Sequence, residues 1–137
     1  MRVVIDTNVL LICISAKSKV NAIFRHLVFG NLELCLSTEI ILEYEEIFEQ
    51  NSGALGKELL LDVIFYLPKT SYFQTYFAWN LIRNDPDDNK FVDCAIAANA
   101  DYIVTDDKHF SILSEIDFPK VNVISSLDFV ELIQSLK

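Results

Sequence analysis

The apolar positions of the chain alternate between short β-branched runs and longer stretches with a helical period. Residues 2 to 5 (Arg-Val-Val-Ile) form one such run, closed by the polar Asp6-Thr7-Asn8, which predicts a buried strand carrying Asp6 at its carboxyl end. Ser18 reads as a helix N-cap, Val20, Ile23, Phe24, Leu27 and Val28 follow with helical spacing, and Gly30 stands where a helix C-terminus favours glycine. Leu32 to Leu36 predicts a second strand, and Ser37-Thr38 opens a helix with Ile40, Ile41, Tyr44, Ile47 and Phe48 on its apolar face. A further helical stretch runs from Lys57 to Leu67 and stops before Pro68, and the aromatic-rich segment Tyr72 to Ile82 is also read as helical. Asp85-Pro86 opens another helix, since aspartate suits the N-cap and proline the first helical position, and an Ala-rich run extends it to Ala100. Tyr102 to Thr105 and Val121 to Ile124 are the remaining expected strands.

Strands alternating with helices imply an α/β fold, a mostly parallel sheet covered on both faces, in which ligands bind outside the carboxyl ends of the strands. Asp6 and Asp107 both fall at such ends. The 137 residues fit one domain, 1–137, with 52% hydrophobic residues and only 3 glycines, a globular composition large enough to bury a core without cross-links. No internal repeat, low-complexity tract or linker interrupts it. With no signal peptide pattern and no apolar run near the roughly 20 residues that span a bilayer, a soluble, cytoplasmic protein with no membrane partner is expected. Cys13, Cys35 and Cys94 are odd in number, far apart and set in apolar segments, so they read as reduced core thiols rather than a disulfide or zinc framework.

Charge narrows the choice of partners. A net charge of −9 argues against a broad basic nucleic-acid surface. It leaves room for acids that gather divalent cations, because bound metal inverts the local charge and attracts phosphate. On the helix after Ser37, 100° per residue puts Glu43 at the edge of the apolar stripe, while Glu46 and Glu49 point away. Asp88 lies in the first turn of the Asp85 helix and Asp107 just past the Tyr102 strand, so Asp6, Glu43, Asp88 and Asp107 can meet from distant parts of the chain. Hard cations such as Mg²⁺ and Mn²⁺ take carboxylate and water oxygens, and such a site activates water against a phosphodiester.

These residues also carry a resemblance. Val-Val-Ile-Asp-Thr-Asn-Val-Leu at the start, Leu-Ser-Thr-Glu-Ile-Ile-Leu-Glu-Tyr ending in Glu43-Tyr44, Asp-Pro-Asp-Asp-Asn-Lys-Phe at 85 to 91 and Ala-Asp-Tyr-Ile-Val-Thr-Asp-Asp-Lys at 100 to 108 resemble the ordered motifs of the PIN-domain family. The likeness covers nearly the whole chain, loosely over 55 to 83, and runs to toxin components of bacterial toxin–antitoxin pairs of the VapC type. It implies a three-layer α/β/α sandwich, Mg²⁺ or Mn²⁺ as cofactor, and endoribonuclease chemistry on single-stranded or structured RNA. It also makes an antitoxin protein and a second copy of the chain the protein partners to test for. It carries catalytic metal binding onto Asp6, Glu43, Asp88 and Asp107, with Asn8 and Ser37 as polar support. The family writes its last motif as Thr, any residue, Asp, which selects Asp107, although Asp106 stands where relatives often have glycine.

Several of these positions admit a rival reading. Asp93, five residues after Asp88 and about 140° around the helix from it, is the alternative third ligand. Asp88 also stands where an acid completes something like a capping box behind an Asp85 N-cap. His26 and His109, with no second His or Cys at ligand spacing, read as structural or surface residues. Lys17, Lys19, Lys90 and Lys108 lie near the expected mouth, where isolated lysines usually just solvate a surface. Tyr72, Phe73, Tyr76, Phe77 and Trp79 fit core or a dimer contact better than a base-stacking platform. The rival functions are an RNA-processing nuclease of the same fold without a toxin role, a Mg²⁺-dependent phosphohydrolase or phosphoryl-transfer domain, and a scaffolding module. A nucleotide-binding Rossmann module is a weaker rival still, because Gly30, Gly53 and Gly56 cannot form the glycine-rich phosphate loop.

Overall fold

The computed structural model describes residues 1–136. Five strands, β1 (Arg2–Ile5), β2 (Glu33–Leu36), β3 (Thr70–Tyr72), β4 (Tyr102–Val104) and β5 (Val123–Ile124), form one sheet of order β3-β2-β1-β4-β5. Every pairing is parallel. The helices are α1 (Thr7–Cys13), α2 (Asn21–Val28), α3 (Thr38–Tyr66), α4 (Asn89–Ala98) and α5 (Ser126–Ser135), and 3-10 turns span Pro86–Asp88 and Lys108–Glu115. The result is the three-layer α/β/α arrangement expected, with α4 packed on β1, β2 and β4.

Central strands buried on both faces need unbroken apolar runs. Val3, Val4, Ile5, Leu34, Cys35, Leu36, Ile103 and Val104 supply them and are all fully buried. Strand order changes direction between β1, which leads on to β2, and β4 on its other side. That is the switch point where the carboxyl ends of neighbouring strands leave a crevice. Asp6 follows β1 and Thr105 to Asp107 follow β4, so the fold delivers both segments to that crevice.

Tyr44 on α3 locks the helix to the strand that carries Asp6. Its ring is fully buried and its hydroxyl donates a hydrogen bond to the Ile5 carbonyl. Tyr44→Phe leaves that carbonyl short of a partner. It is expected to destabilise the protein by about 1–3 kcal/mol, read from the midpoint of urea unfolding; an unchanged midpoint would show that the bond contributes nothing net.

Several expectations need correction. The segment Tyr72 to Ile82 is not a helix: β3 pairs with β2 through Leu34 and Thr70, Cys35 and Ser71, and Leu36 and Tyr72, and the chain then runs without regular structure to Arg83. Aromatic and β-branched side chains lose rotamer freedom in a helix and fit a pleated edge. Of the segment's aromatics only Phe73 packs against the core, while Tyr72, Tyr76, Phe77 and Trp79 are exposed. Ser18 is not the cap of α2, which starts at Asn21; its hydroxyl instead accepts the Val20 N–H at 3.1 Å in the turn ahead. The two helical stretches expected after Ser37 are both present within α3 and meet at a kink, where Gly53 takes a non-helical φ of 73°. Three helical elements, α1, the Lys108–Glu115 turn and α5, come in addition to those the apolar pattern predicts.

Cys13, Cys35 and Cys94 are free and buried, as expected of core thiols. Burial pushes their thiols up to about 12, 11 and 12, so thiolate chemistry is suppressed. No helix among the described residues is long and apolar enough to cross a membrane.

Candidate active site

Asp6 sits at the last bond of the β1 ladder, its N–H donating to the Val104 carbonyl at 3.0 Å. The chain turns straight into α1, yet the Asp6 side chain makes no helix-capping bond. Its Oδ2 instead accepts the Thr105 hydroxyl at 2.7 Å, and the residue is only 6% exposed. Thr105 Oγ1 also accepts the Asp107 N–H at 3.0 Å, so one threonine side chain ties the strand end bearing Asp6 to the loop bearing Asp107. Burial raises the Asp6 carboxyl above its ordinary range, the Thr105 bond opposes this, and the charges of Glu43 and Asp107 add to it.

Asp88 closes the 3-10 turn that feeds α4 and is 8% exposed. Its Oδ2 is buried without a hydrogen-bond partner among the described residues. Burial first, then the charges of Asp107, Asp85 and Asp6, push this carboxyl up to about 8. Neither Asp85 nor Asp88 caps the helix, so the capping-box reading of Asp88 does not hold. Both carboxylates turn instead toward Asp107 and His109, and one ligand atom from each of these four residues lies within 4.8 Å of the others.

The neighbouring acids point elsewhere. Asp106 accepts the Ser126 N–H at 2.8 Å and the Ser126 hydroxyl at 2.7 Å, which turns it to the start of α5 and leaves Asp107 facing the cluster. Asp93 accepts the Trp79 N–H at 3.1 Å and fastens the irregular segment to α4, away from Asp88.

A family model described as the PIN domain matches residues 2–109, a span that holds all these acids. The chain belongs to the PIN-domain family. Two solved structures share the fold at low identity. One is VapBC2 from Rickettsia felis bound to a DNA fragment from its promoter, at 17% identity and TM-score 0.64 over 91% of this chain and 98% of that one. The other is FitAcB from Neisseria gonorrhoeae, at 15% identity and TM-score 0.61 over 90% and 97%. A comparison with curated proteins gave no match.

In this PIN domain Glu43 flanks the cluster, within electrostatic reach of Asp6, but both its oxygens are engaged. Lys90 Nζ lies 2.7 Å from Oε1, and the Thr7 hydroxyl donates to Oε2. Lys90 is therefore a half-buried ion-pair partner and not a solvated surface lysine. Ser37 is buried and its hydroxyl accepts the Ile40 N–H as the N-cap of α3, while Asn8 is exposed. Among the described residues, Thr7, Thr105, Lys90 and His109, rather than Asn8 and Ser37, are the polar side chains that meet the acids. His109 is neither plain surface nor core, because its Nδ1 faces three carboxylates. Only Thr105 carries a sequence signal, the Thr-x-Asp spacing; the other three contacts depend on juxtaposition across the fold.

The donor set suits a divalent cation. Buried carboxylates held close repel one another unless protonated or bridged by a cation, and among the described residues Asp88 Oδ2 has no hydrogen-bond partner, His109 Nδ1 being 3.7 Å away. Hard oxygen donors of this kind match Mg²⁺, Mn²⁺ and Ca²⁺ better than copper or iron–sulfur chemistry.

Proposed function

We propose that the chain is a metal-dependent endoribonuclease, one PIN domain spanning 1–137, whose carboxylates Asp6, Asp88 and Asp107 hold Mg²⁺ or Mn²⁺ with Glu43 at their flank. The observation that carries this reading is the buried, unpartnered Asp88 oxygen set among acids at the carboxyl ends of β1 and β4. Held by these carboxylates, a divalent cation would supply the acidity that makes a nucleophile of water and the positive charge that offsets charge developing on the scissile phosphate. The chain's own residues do the positioning. Thr105 sets Asp6 and Asp107 relative to each other, and Lys90 with Thr7 holds Glu43 at the edge.

A groove of ≈ 750 Å³ begins beside His109 and is lined by Trp79, Asn84, Arg83 and Lys108 among others. It offers two cations for phosphates and one indole for a base on an otherwise acidic protein. This favours an RNA strand over a small phosphomonoester, which needs no such path. Likeness to the VapC type and to the VapBC2 and FitAcB structures supports a toxin role with an antitoxin protein as partner. Three buried free thiols suit a reducing, cytoplasmic setting.

Purified protein is expected to cleave labelled single-stranded RNA internally when Mn²⁺ or Mg²⁺ is supplied and to lose that activity in chelator. Cleavage indifferent to chelator, or hydrolysis of a phosphomonoester in place of RNA, overturns the reading. Repression of growth on expression, relieved by the product of an adjacent gene, separates a toxin from an RNA-processing nuclease of the same fold.

A further inference from the structure

His109 stands in the acid cluster. Its Nδ1 lies 3.1 Å from Asp107 Oδ1, 3.5 Å from Asp85 Oδ2 and 3.7 Å from Asp88 Oδ2. The backbone fixes this pose, because Asp107 Oδ1 caps the Lys108–Glu115 turn by accepting the His109 N–H at 2.9 Å, which holds the residue over the carboxylates. A shared proton would explain only the shortest of the three distances, since hydrogen bonds end near 3.2 Å. Ligands about 2.0–2.1 Å from a common ion sit roughly 2.8–3.0 Å from their neighbours in octahedral order and roughly 3.3–3.4 Å in tetrahedral order. The three nitrogen-to-oxygen separations fall between or just beyond these values. The second observation is Asp88 itself, nine-tenths buried, with Oδ2 aimed into the cluster and without a hydrogen-bond partner among the described residues.

We propose that His109, together with Asp85, completes a mixed nitrogen–oxygen cation site with Asp88 and Asp107, and that its imidazole makes the site prefer Mn²⁺ and later first-row ions to Mg²⁺. This rests on the metal-dependent reading above and adds what selects the metal. Magnesium demands oxygen donors and keeps its waters, whereas imidazole binds later first-row ions well, and affinity rises from Mn²⁺ through Co²⁺ to Ni²⁺. Asp85 brings further negative charge to the same ion from the residue just ahead of the Pro86–Asp88 turn. His109 is accessible, with 45% of its side chain exposed, so an imidazole can move by the small amount that ligation asks.

The chain has only two histidines, which makes the test clean. His26 lies on α2 with its Nδ1 2.7 Å from the Ala22 carbonyl, outside this site. Tag-free, chelator-stripped protein is titrated calorimetrically with Co²⁺ and with Mg²⁺, as wild type, His109→Ala and His26→Gln. His109→Ala is expected to weaken Co²⁺ at least about tenfold and Mg²⁺ by less than about threefold, while His26→Gln changes neither. Pulsed electron paramagnetic resonance on the Mn²⁺-loaded protein should show a ¹⁴N coupling in the wild type and in His26→Gln, and none in His109→Ala. Equal weakening of both ions, or no nitrogen coupling in the wild type, overturns the proposal. Tighter binding of both ions by His109→Ala also overturns it, because the ring would then be only a counter-charge. If the wild type binds neither ion, the metal-dependent function falls with it; if it binds both and their ratio is unmoved by His109→Ala, only the selectivity does.

Discussion

Asp6→Asn is expected to abolish RNA cleavage, and Asp88→Asn to lower the turnover number at least about a hundredfold under saturating Mn²⁺, a loss of roughly 2.7 kcal/mol of transition-state stabilisation. Asp93→Asn should stay close to wild type. The contrast rests on where α4 and its preceding turn aim each acid. Asp88 turns into the crevice, where Asp6, Asp85 and Asp107 all bear on its charge, and one of its oxygens has no hydrogen-bond partner among the described residues. Asp93 is spent on the Trp79 N–H, and the charge bearing on it comes from Glu39 rather than from Asp6 or Asp107. An amide at 93 can still accept that N–H, whereas an amide at 88 cannot supply the negative charge a cation needs. Steady-state rates on one labelled RNA, with melting curves to verify folding, decide it. If Asp93→Asn is dead while Asp88→Asn remains active, the ligand assignment moves to Asp93.

The second large effect is on stability without metal. The folded Asp88 carboxyl keeps its proton up to about pH 8, whereas the unfolded chain releases it near the ordinary value of about 3.9. Between these values the folded state binds more protons than the unfolded state. The Asp88 contribution to stability is therefore full below about pH 4 and declines as pH rises through about 8. Asp6 is shifted in the same direction, chiefly by burial. In the absence of metal, Asp88→Asn should thus melt above wild type at pH 8 and converge with it near pH 4. Mn²⁺ reverses the order, because it binds the ionised cluster of the folded form and stabilises it by about 2.7 kcal/mol at a hundred times its dissociation constant. The variant should lose most of that increment. Scanning calorimetry of both proteins from pH 4 to 8, with chelator and with Mn²⁺, gives the comparison. A metal-free difference that stays flat across pH would mean that the Asp88 carboxyl ionises alike in the folded and unfolded chain.

Much of this architecture is legible in the amino-acid order because it rests on local rules. The β-branched runs before Asp6 and before Thr105 can only be buried strands, and Asp85-Pro86 marks the turn into α4. The acids are visible for the same reason, each at the end of a readable element. Helix α1 is not, because Val9, Leu10 and Cys13 are buried within a nearly continuous apolar run that shows no clear period. Helix α5 does carry a signal that the apolar pattern alone passes over, Ser125 capping the Asp128 N–H as in a capping box. The segment after Pro68 misleads because aromatic spacing can imitate helical periodicity, while pairing with β2 decides its first residues. What surrounds the acids lies beyond local rules. Thr7 and Glu43 are 36 residues apart, Lys90 and Glu43 47, and Thr105 and Asp6 99, so these contacts exist only once the sheet has formed.

Whether these carboxylates gather to hold a catalytic cation is answered by anomalous diffraction from crystals soaked in Mn²⁺. The expected map has a peak against Asp88 and Asp107, in the crevice beside Asp6, lost in crystals of Asp88→Asn grown and soaked in the same way. A peak elsewhere on the molecule, or a crevice without manganese at concentrations that support RNA cleavage, would refute a metal role for the cluster.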